Sequence, residues 1–214
     1  MNFSEFTQGH PWPWFVSDDI LPPEFIKKLS DTFPDEKLIL TERNTGSDKS
    51  YLCKQAKIYS ALNNDTIAPS SLDECWQHLV TMVRSNEYKT KVEKLLNVKL
   101  SGAWVEVIIN QYYENCYMSM HTDRKPKLLT HLIYLSGVPG YGLGGEFLIH
   151  NKSGEVIDAI EPQPGRSLIF KRTEDSHHSV NKMHKKFKRN SVQIVFWEYQ
   201  PPVTPIGRIT YPNF

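Results

Sequence analysis

AWVEVIINQYYENCYMSMHTDRKPKLLTHLIYL, residues 103–135, is the stretch on which the reading of this chain turns. Its two ends, Ala103 to Tyr113 and Leu128 to Leu135, are β-branched and aromatic runs of strand length. Between them stand His121 and Asp123, two residues apart. On an extended backbone, residues i and i+2 point to the same face, so both side chains can converge on one metal ion.

Downstream, short apolar runs continue at Glu146 to His150, Val156 to Ile160, Ser167 to Lys171, His178 to Met183 and Ser191 to Tyr199. Turn residues at Gly137 to Gly145 and Pro162 to Gly165 separate them. Strands this short and this closely spaced predict an antiparallel barrel or sandwich. GYGLGGEF (140–147) has neither the spacing of a phosphate-binding loop nor a following helix, and reads as a turn between strands.

Upstream the texture differs. PWPWFVSDDI (11–20) reads as extended, and Pro22-Pro23 opens a helix that runs from Glu24 to Phe33 and ends at Pro34. Residues 40–68 are polar and read as long loops with short strands. Ser70-Ser71 offers an N-cap, and Trp76, Leu79, Val80, Val83, Val92, Leu95 and Leu96 mark two helical stretches between Leu72 and Leu96. That stripe is core, expected to pack on a sheet. The expected organisation is one domain over residues 1–214, helical and loop-rich over 1–100, with a β core over 103–199.

Composition narrows the function classes. The chain has 214 residues, 39% hydrophobic and 12% aromatic, enough for a substantial core. Its 25 Lys and Arg nearly balance 24 Asp and Glu, so no nucleic-acid or membrane footprint is expected. The basic run from Lys182 to Arg189 reads as a solvated loop. Cys53, Cys75 and Cys116 are too few and too scattered for a disulfide framework or a structural zinc site. The first residues resemble no signal peptide, and no apolar run reaches membrane-spanning length, so a reducing, cytoplasmic setting is the expectation.

Two ligands hold a catalytic metal weakly, and a third must come from elsewhere. His177 and His178 both offer it at the start of an expected strand. Two imidazoles and one carboxylate leave positions open for a bidentate cosubstrate and O2, the ligand set of non-haem iron(II) oxygenases. Eleven residues beyond His178, Arg189 opens RNSVQIVFW, where a buried guanidinium could hold a carboxylate.

HTD (121–123), GGEF (144–147), EPQPGRSLIF (161–170), HSV (178–180) and R-x-S-V (189–192) together resemble the 2-oxoglutarate/iron(II)-dependent dioxygenases, in the prolyl-4-hydroxylase-like branch. The resemblance covers residues 103–199 and little of the first hundred. It implies a double-stranded β-helix, or jelly roll, mainly β with the N-terminal helices packed on the sheet. It also implies iron(II) on His121, Asp123 and His178, the H-x-V register favouring His178, with His177 beside the site or capping the loop. By the same resemblance Arg189 and Tyr134 hold the distal carboxylate of 2-oxoglutarate, and Tyr112 matches an aromatic lining position. Asn115 stands where the family usually has Gly, and Asn tolerates a left-handed turn. Related halogenases replace the carboxylate ligand with a small residue. Asp123 therefore speaks for hydroxylation.

The implied cofactors are Fe(II), 2-oxoglutarate and O2, with ascorbate as a reductant. The expected substrate is a small-molecule or carrier-linked metabolite, oxidised at an unactivated C–H. The alternatives are a peptide (prolyl-type) hydroxylase and a non-catalytic, cupin-like metal-binding module. Arg124, Lys125 and Lys127 are either a solvated loop or a welcome for an acidic substrate group, and Arg124 is the substrate-binding candidate. His131 reads as structural, and His150 as packed or pocket-lining. Glu106 is either a buried partner or a catalyst.

Overall fold

The computed structural model describes residues 1–43, 49–61, 66–137, 142–184 and 187–200. The chain begins with β1 (Thr7–Gly9), β2 (Trp14–Ser17), α1 (Pro23–Asp31), β3 (Ile39–Arg43), β4 (Tyr51–Ser60), α2 (Glu74–Arg84) and α3 (Asn86–Leu96). It continues with β5 (Trp104–Tyr112), β6 (Tyr117–His121), β7 (Lys127–Tyr134), β8 (Phe147–His150) and β9 (Val156–Ile160). The last strands are β10 (Ser167–Lys171), β11 (His178–Val180) and β12 (Arg189–Trp197).

All twelve strands belong to one sheet of order β1-β2-β10-β7-β12-β5-β4-β6-β11-β8-β9, with β3 paired to β4. β4 is the seam. Its later residues pair with β5, while Tyr51 and Leu52 at its start pair with β6. One strand thus serves both halves, and the sheet curls on itself. Phe147 of β8 meets Phe170 of β10 at a ring separation of 5.7 Å although the two strands lie far apart in the order, so the halves face each other as in a jelly roll.

Alternation along the strands gives each face its own task. Val107, Ile109, Leu129, Ile133, Val192, Ile194 and Phe196 point outward and join Ile26, Leu29, Trp76, Leu79, Val83 and Val92 of the helices in one core. The intervening residues, Tyr112, Thr130, Leu132, Arg189, Ser191 and Gln193 among them, face the interior of the curl. Burial of each large apolar side chain in the outer core contributes about 1.5–3 kcal/mol, so the helices brace the wall against which the site is built.

Three expectations change. The polar stretch 40–68 contains a β-hairpin, β3 and the ten-residue β4, rather than mainly loops. A register shift between Lys57 and Tyr59 breaks the alternation that would have announced the strand. The N-cap falls on Asp73, whose carboxylate accepts from the Cys75 amide, while Ser70 and Ser71 sit in a 3-10 turn. Ser85 caps α3 in turn through the Tyr88 amide. Finally, β6 is a strand that the residue pattern had not announced.

Residues 138–141, 185 and 186 lie outside the described residues. The turn expected over 137–145 is therefore seen from Gly142 onward, and the basic run 182–189 only at its ends. The three cysteines are buried and free. Among the described residues no helix is long and apolar enough to cross a membrane.

Candidate active site

The distance along the chain between His121 and His178 is closed by strand pairing. β6 and β11 run antiparallel with His121 directly opposite His178, and the two imidazole rings lie 4.3 Å apart. Asp123 follows the end of β6, and one ligand atom from each of the three residues lies within 4.8 Å of the others. All three are buried.

The imidazoles are oriented alike. His121 Nδ1 donates to the Ser119 carbonyl and His178 Nδ1 to the Ser176 carbonyl, both at 2.9 Å. A carbonyl can only accept, so the proton sits on Nδ1 in each ring. Nε2 is left with its lone pair toward the centre, as a metal ligand requires. Burial, with the neighbouring His178 and Lys49, pushes the His121 pKa down to about 2. Burial likewise brings His178 to about 4. Both rings are neutral at physiological pH. For Asp123 burial pulls the pKa upward, but Lys127, the two histidines and Lys49 outweigh it and hold the carboxyl well below the usual range. The trio is a ready ligand set: two neutral imidazoles and one carboxylate.

The carboxylate is itself fixed from behind. Thr130 donates to Asp123 Oδ2 and Lys127 to Oδ1, each at 2.7 Å, and Arg172 Nε donates to the Asp123 carbonyl at 2.9 Å. Trp12, Phe147 and Phe170 surround the His178 ring at centroid distances of 6.4, 4.9 and 4.9 Å. They shield it from water.

Arg189 shares this cavity with His121, Asp123 and His178. It is 1% exposed, and β12 seats it opposite Tyr112 on β5. Its guanidinium carbon lies 4.8 Å from the Tyr112 ring and 4.9 Å from the Tyr134 ring, and Nη2 donates to the Tyr134 hydroxyl at 3.2 Å. Nε and Nη1 are buried with no hydrogen-bond partner. Among the described residues they are the only side-chain nitrogens or oxygens in that condition. A buried cation with unspent donors costs several kcal/mol unless an anion answers it, so the residues fit a carboxylate-bearing ligand beside a metal.

The two glycines of GGEF have steric reasons. A Cβ on Gly144 would strike the Lys182 carbonyl oxygen at 1.9 Å. On Gly145, at φ +88°, it would approach Met183 Sδ to 2.5 Å and Arg189 Cδ to 3.5 Å. The pair lets the chain pass beside Arg189. Asn115 adopts φ 70°, the left-handed turn expected of it.

The other candidates separate clearly. His177 is half-buried, turns Nδ1 to the Asp175 carbonyl and stands outside the cluster. Tyr112 lines the cavity, whereas Tyr134 reaches it through Arg189. Arg124 is exposed and does not line the cavity. Lys125 pairs with Glu174 at the surface, while Lys127 turns inward to Asp123. His131 faces the helices between the Tyr88 hydroxyl and the Ser167 hydroxyl. His150 is buried against Ser179. Glu106 is a partner, receiving Lys57 at 2.8 Å and the Trp197 indole at 3.0 Å. No motif in the sequence marks Lys49, whose Nζ lies 3.2 Å from His121 Nε2, or the anchors Thr130 and Trp12. Thr130 alone left a trace, one strand alternation from Leu132 and Tyr134 on the inner face.

Residues 107–197 match the family model described as the 2OG-Fe(II) oxygenase superfamily. No curated protein sequence matches the chain. Among solved structures, a Pseudomonas putida prolyl-4-hydroxylase aligns with TM-score 0.63 and 17% identity over 90% of this chain and 94% of that one. The viral collagen prolyl hydroxylase of Paramecium bursaria Chlorella virus-1 gives 0.56 and 16%, over 86% and 94%. EvdO2 of Micromonospora carbonacea var. aurantiaca, solved with 2-oxoglutarate, gives 0.54 and 10%, over 91% and 89%. At these identities the likeness is one of fold. The matched segment brings together His121, Asp123, His178 and Arg189, and over those residues the chain is similar to the 2OG-Fe(II) oxygenase superfamily.

Proposed function

We propose that this protein is an Fe(II)- and 2-oxoglutarate-dependent hydroxylase, with His121, Asp123 and His178 as metal ligands and Arg189 as the anchor of the cosubstrate. The observation that carries the reading is the pair of partnerless donors on buried Arg189, in the same cavity as three converging ligand atoms. Bound iron(II), 2-oxoglutarate and O2 supply the oxidising chemistry, in which 2-oxoglutarate leaves as succinate and CO2 and one oxygen atom enters a substrate C–H bond.

The protein's share is placement. His121 and His178 present Nε2 because their Nδ1 protons are held by backbone carbonyls. Asp123 is kept charged and aimed by Lys127 and Thr130. Arg189 offers Nε and Nη1 to the far carboxylate, with Tyr134 bracing the guanidinium and Tyr112 forming a cavity wall beneath it. Phe147, Phe170 and Trp12 keep water from the His178 side, where fixed dipoles then act at full strength.

The test is an anaerobic titration with Fe(II) and 2-oxoglutarate. A weak visible charge-transfer band on mixing, and succinate on admitting O2, are expected. Failure of both refutes the reading. Ascorbate is assigned the role of restoring activity lost over repeated turnover.

The substrate we assign is a small or carrier-linked molecule. A peptide reading is favoured by the two neighbours described as prolyl hydroxylases. Succinate release measured against a metabolite pool and against a proline-containing peptide library separates the two.

A further inference from the structure

Glu106 is a buried carboxylate that neither the metal ligands nor the cosubstrate anchor uses. It belongs to a row of side chains that crosses the strands. Along β4, β5 and β12, Ala56, Ile58, Val105, Val107 and Phe196 feed the outer core, so Lys57, Glu106 and Trp197 turn to the interior. Lys57 Nζ reaches Glu106 Oε1 at 2.8 Å, and the Ser60 hydroxyl donates to the same oxygen at 3.3 Å. The other oxygen, Oε2, accepts the Trp197 indole N–H at 3.0 Å. Trp197 is paired with Lys127 across β12 and β7, and the Lys127 ammonium lies 5.5 Å from the centre of its ring. Lys127 in turn donates to Asp123 Oδ1 at 2.7 Å. The row runs from β4 through β5, β12 and β7 to Asp123, while Glu106 and Trp197 themselves do not line the cavity.

Holding a lysine ammonium in one place costs side-chain entropy, because its four-carbon stem has many rotamers. Asp123 is a poor sole anchor for it. The same carboxylate must face His121 and His178, and a metal ion bound there repels the ammonium. The face of Trp197 supplies a second hold. A cation within about 6 Å of an indole centroid is attracted by the ring quadrupole, more strongly where water is excluded. The face serves only while the ring is fixed, and the bond to Glu106 fixes it. Lys57 answers the charge of Glu106, so that carboxylate asks nothing of the cavity. With Lys127 on Oδ1 and Thr130 on Oδ2, both oxygens of Asp123 are held from behind.

We propose that Trp197, oriented by Glu106, is a positioning residue for Asp123: it seats the Lys127 ammonium and through it aims the carboxylate at the metal. The proposal rests on the hydroxylase reading above, which places a metal ion on His121, Asp123 and His178.

The test is a double-mutant cycle on the full chain. Calorimetry reads Zn(II) affinity, and the visible spectrum of the Co(II)-loaded protein is recorded beside it. Outer partners of a ligating carboxylate are worth about 10–100-fold in metal affinity, and Lys127→Met should lose about that much. Trp197→Leu should lose about 2- to 30-fold, the range of a cation–ring contact. The losses should not add: in the Lys127→Met background, Trp197→Leu should change the affinity by less than about twofold. The Co(II) bands of Trp197→Leu should move toward those of Lys127→Met, which lost packing alone does not produce. Trp197→Phe keeps a ring but gives up the anchor on Glu106, and it covers the case in which circular dichroism shows the leucine variant unfolded. It should show a smaller loss that likewise vanishes in the Lys127→Met background. Wild-type Zn(II) affinity in folded Trp197 variants, or losses that persist in full without Lys127, overturns the proposal. If wild type binds neither Zn(II) nor Co(II), the hydroxylase reading itself has failed. With that binding intact, a negative cycle falls on Trp197 alone.

Discussion

Arg189→Met separates two effects that usually travel together. In the ligand-free protein the guanidinium is 1% exposed, and only the Tyr134 hydroxyl and two ring faces answer it. Exchanging a buried charge for an apolar side chain of similar volume is neutral or stabilising by about 1–4 kcal/mol. At roughly 2–4 °C per kcal/mol for a chain of this size, the ligand-free variant should melt no lower than wild type, and up to several degrees higher. Toward 2-oxoglutarate the sign reverses. Removing one partner of a buried, hydrogen-bonded charge pair costs about 2–5 kcal/mol. At about 1.4 kcal/mol per tenfold, Kd rises by roughly 30-fold to several thousandfold. Wild type at a hundred times its Kd gains about 2.7 kcal/mol, a rise of about 5–10 °C in Tm. At the same concentration the variant should gain at most about 0.9 kcal/mol, a rise of no more than about 2–4 °C. Thermal melts of the Zn(II)-loaded proteins, with and without 2-oxoglutarate, read both halves at once. A variant that binds 2-oxoglutarate within about threefold of wild type and keeps its Tm rise would refute the assignment of Arg189.

Three further expectations follow from the same geometry. His178→Ala should abolish Zn(II) binding measured by calorimetry, whereas His177→Ala should leave it within a few-fold, because only His178 faces His121 across the strand pair. Thr130→Val takes the hydrogen bond from Asp123 Oδ2 and should weaken metal binding by about 10–100-fold without unfolding the sheet, as checked by circular dichroism. His131 is held near pKa 3 by burial while the unfolded chain titrates near 6.5, so the unfolded state takes up its proton first. The stability this group contributes is complete above about pH 6.5 and is lost as pH falls toward 3, at up to about 1.4 kcal/mol per unit. Denaturant unfolding between pH 7 and 4 should show a shallower loss in His131→Phe than in wild type. Equal slopes would remove His131 from the account.

The parts of the molecule legible in the sequence were those where neighbours in sequence share a face. Strands β5, β7, β10 and β12 announced themselves because one side of each feeds the helix-covered core and the other the cavity. Asp123 could be paired with His121 for the same local reason. Residues 40–68 resisted because β4 is bordered by two halves of the sheet, and its polar side chains find partners outside the strand. Lys57 reaches Glu106, Lys54 covers the Tyr113 ring, and the shift near Tyr59 scrambles the pattern further. His178 is favoured over His177 in the sequence only by its H-x-V register; the pairing of β11 with β6, which seats His178 opposite His121, is a long-range fact that adjacent residues do not encode. Lys49 was illegible for the same reason: its meaning lies in the ring 72 residues away that it touches.

Trp12 gives the molecule a property of a different kind. Its ring lies against His178 and Phe170, its indole is tied to the His150 carbonyl at 3.2 Å, and the strand that follows it zips to β10. One wall of the cluster therefore comes from a segment well ahead of the strands that carry His121 and His178, while Arg189 comes from β12, the last strand of the described residues. During translation no stretch of the emerging polypeptide holds His121, Asp123, His178 and Arg189 together until β12 has been made. An excised piece spanning only residues 107–197 would bear the family's signature residues yet lack the tryptophan wall and the β4 seam. The smallest unit able to hold metal and cosubstrate together should reach back to the HPWPW segment at its start.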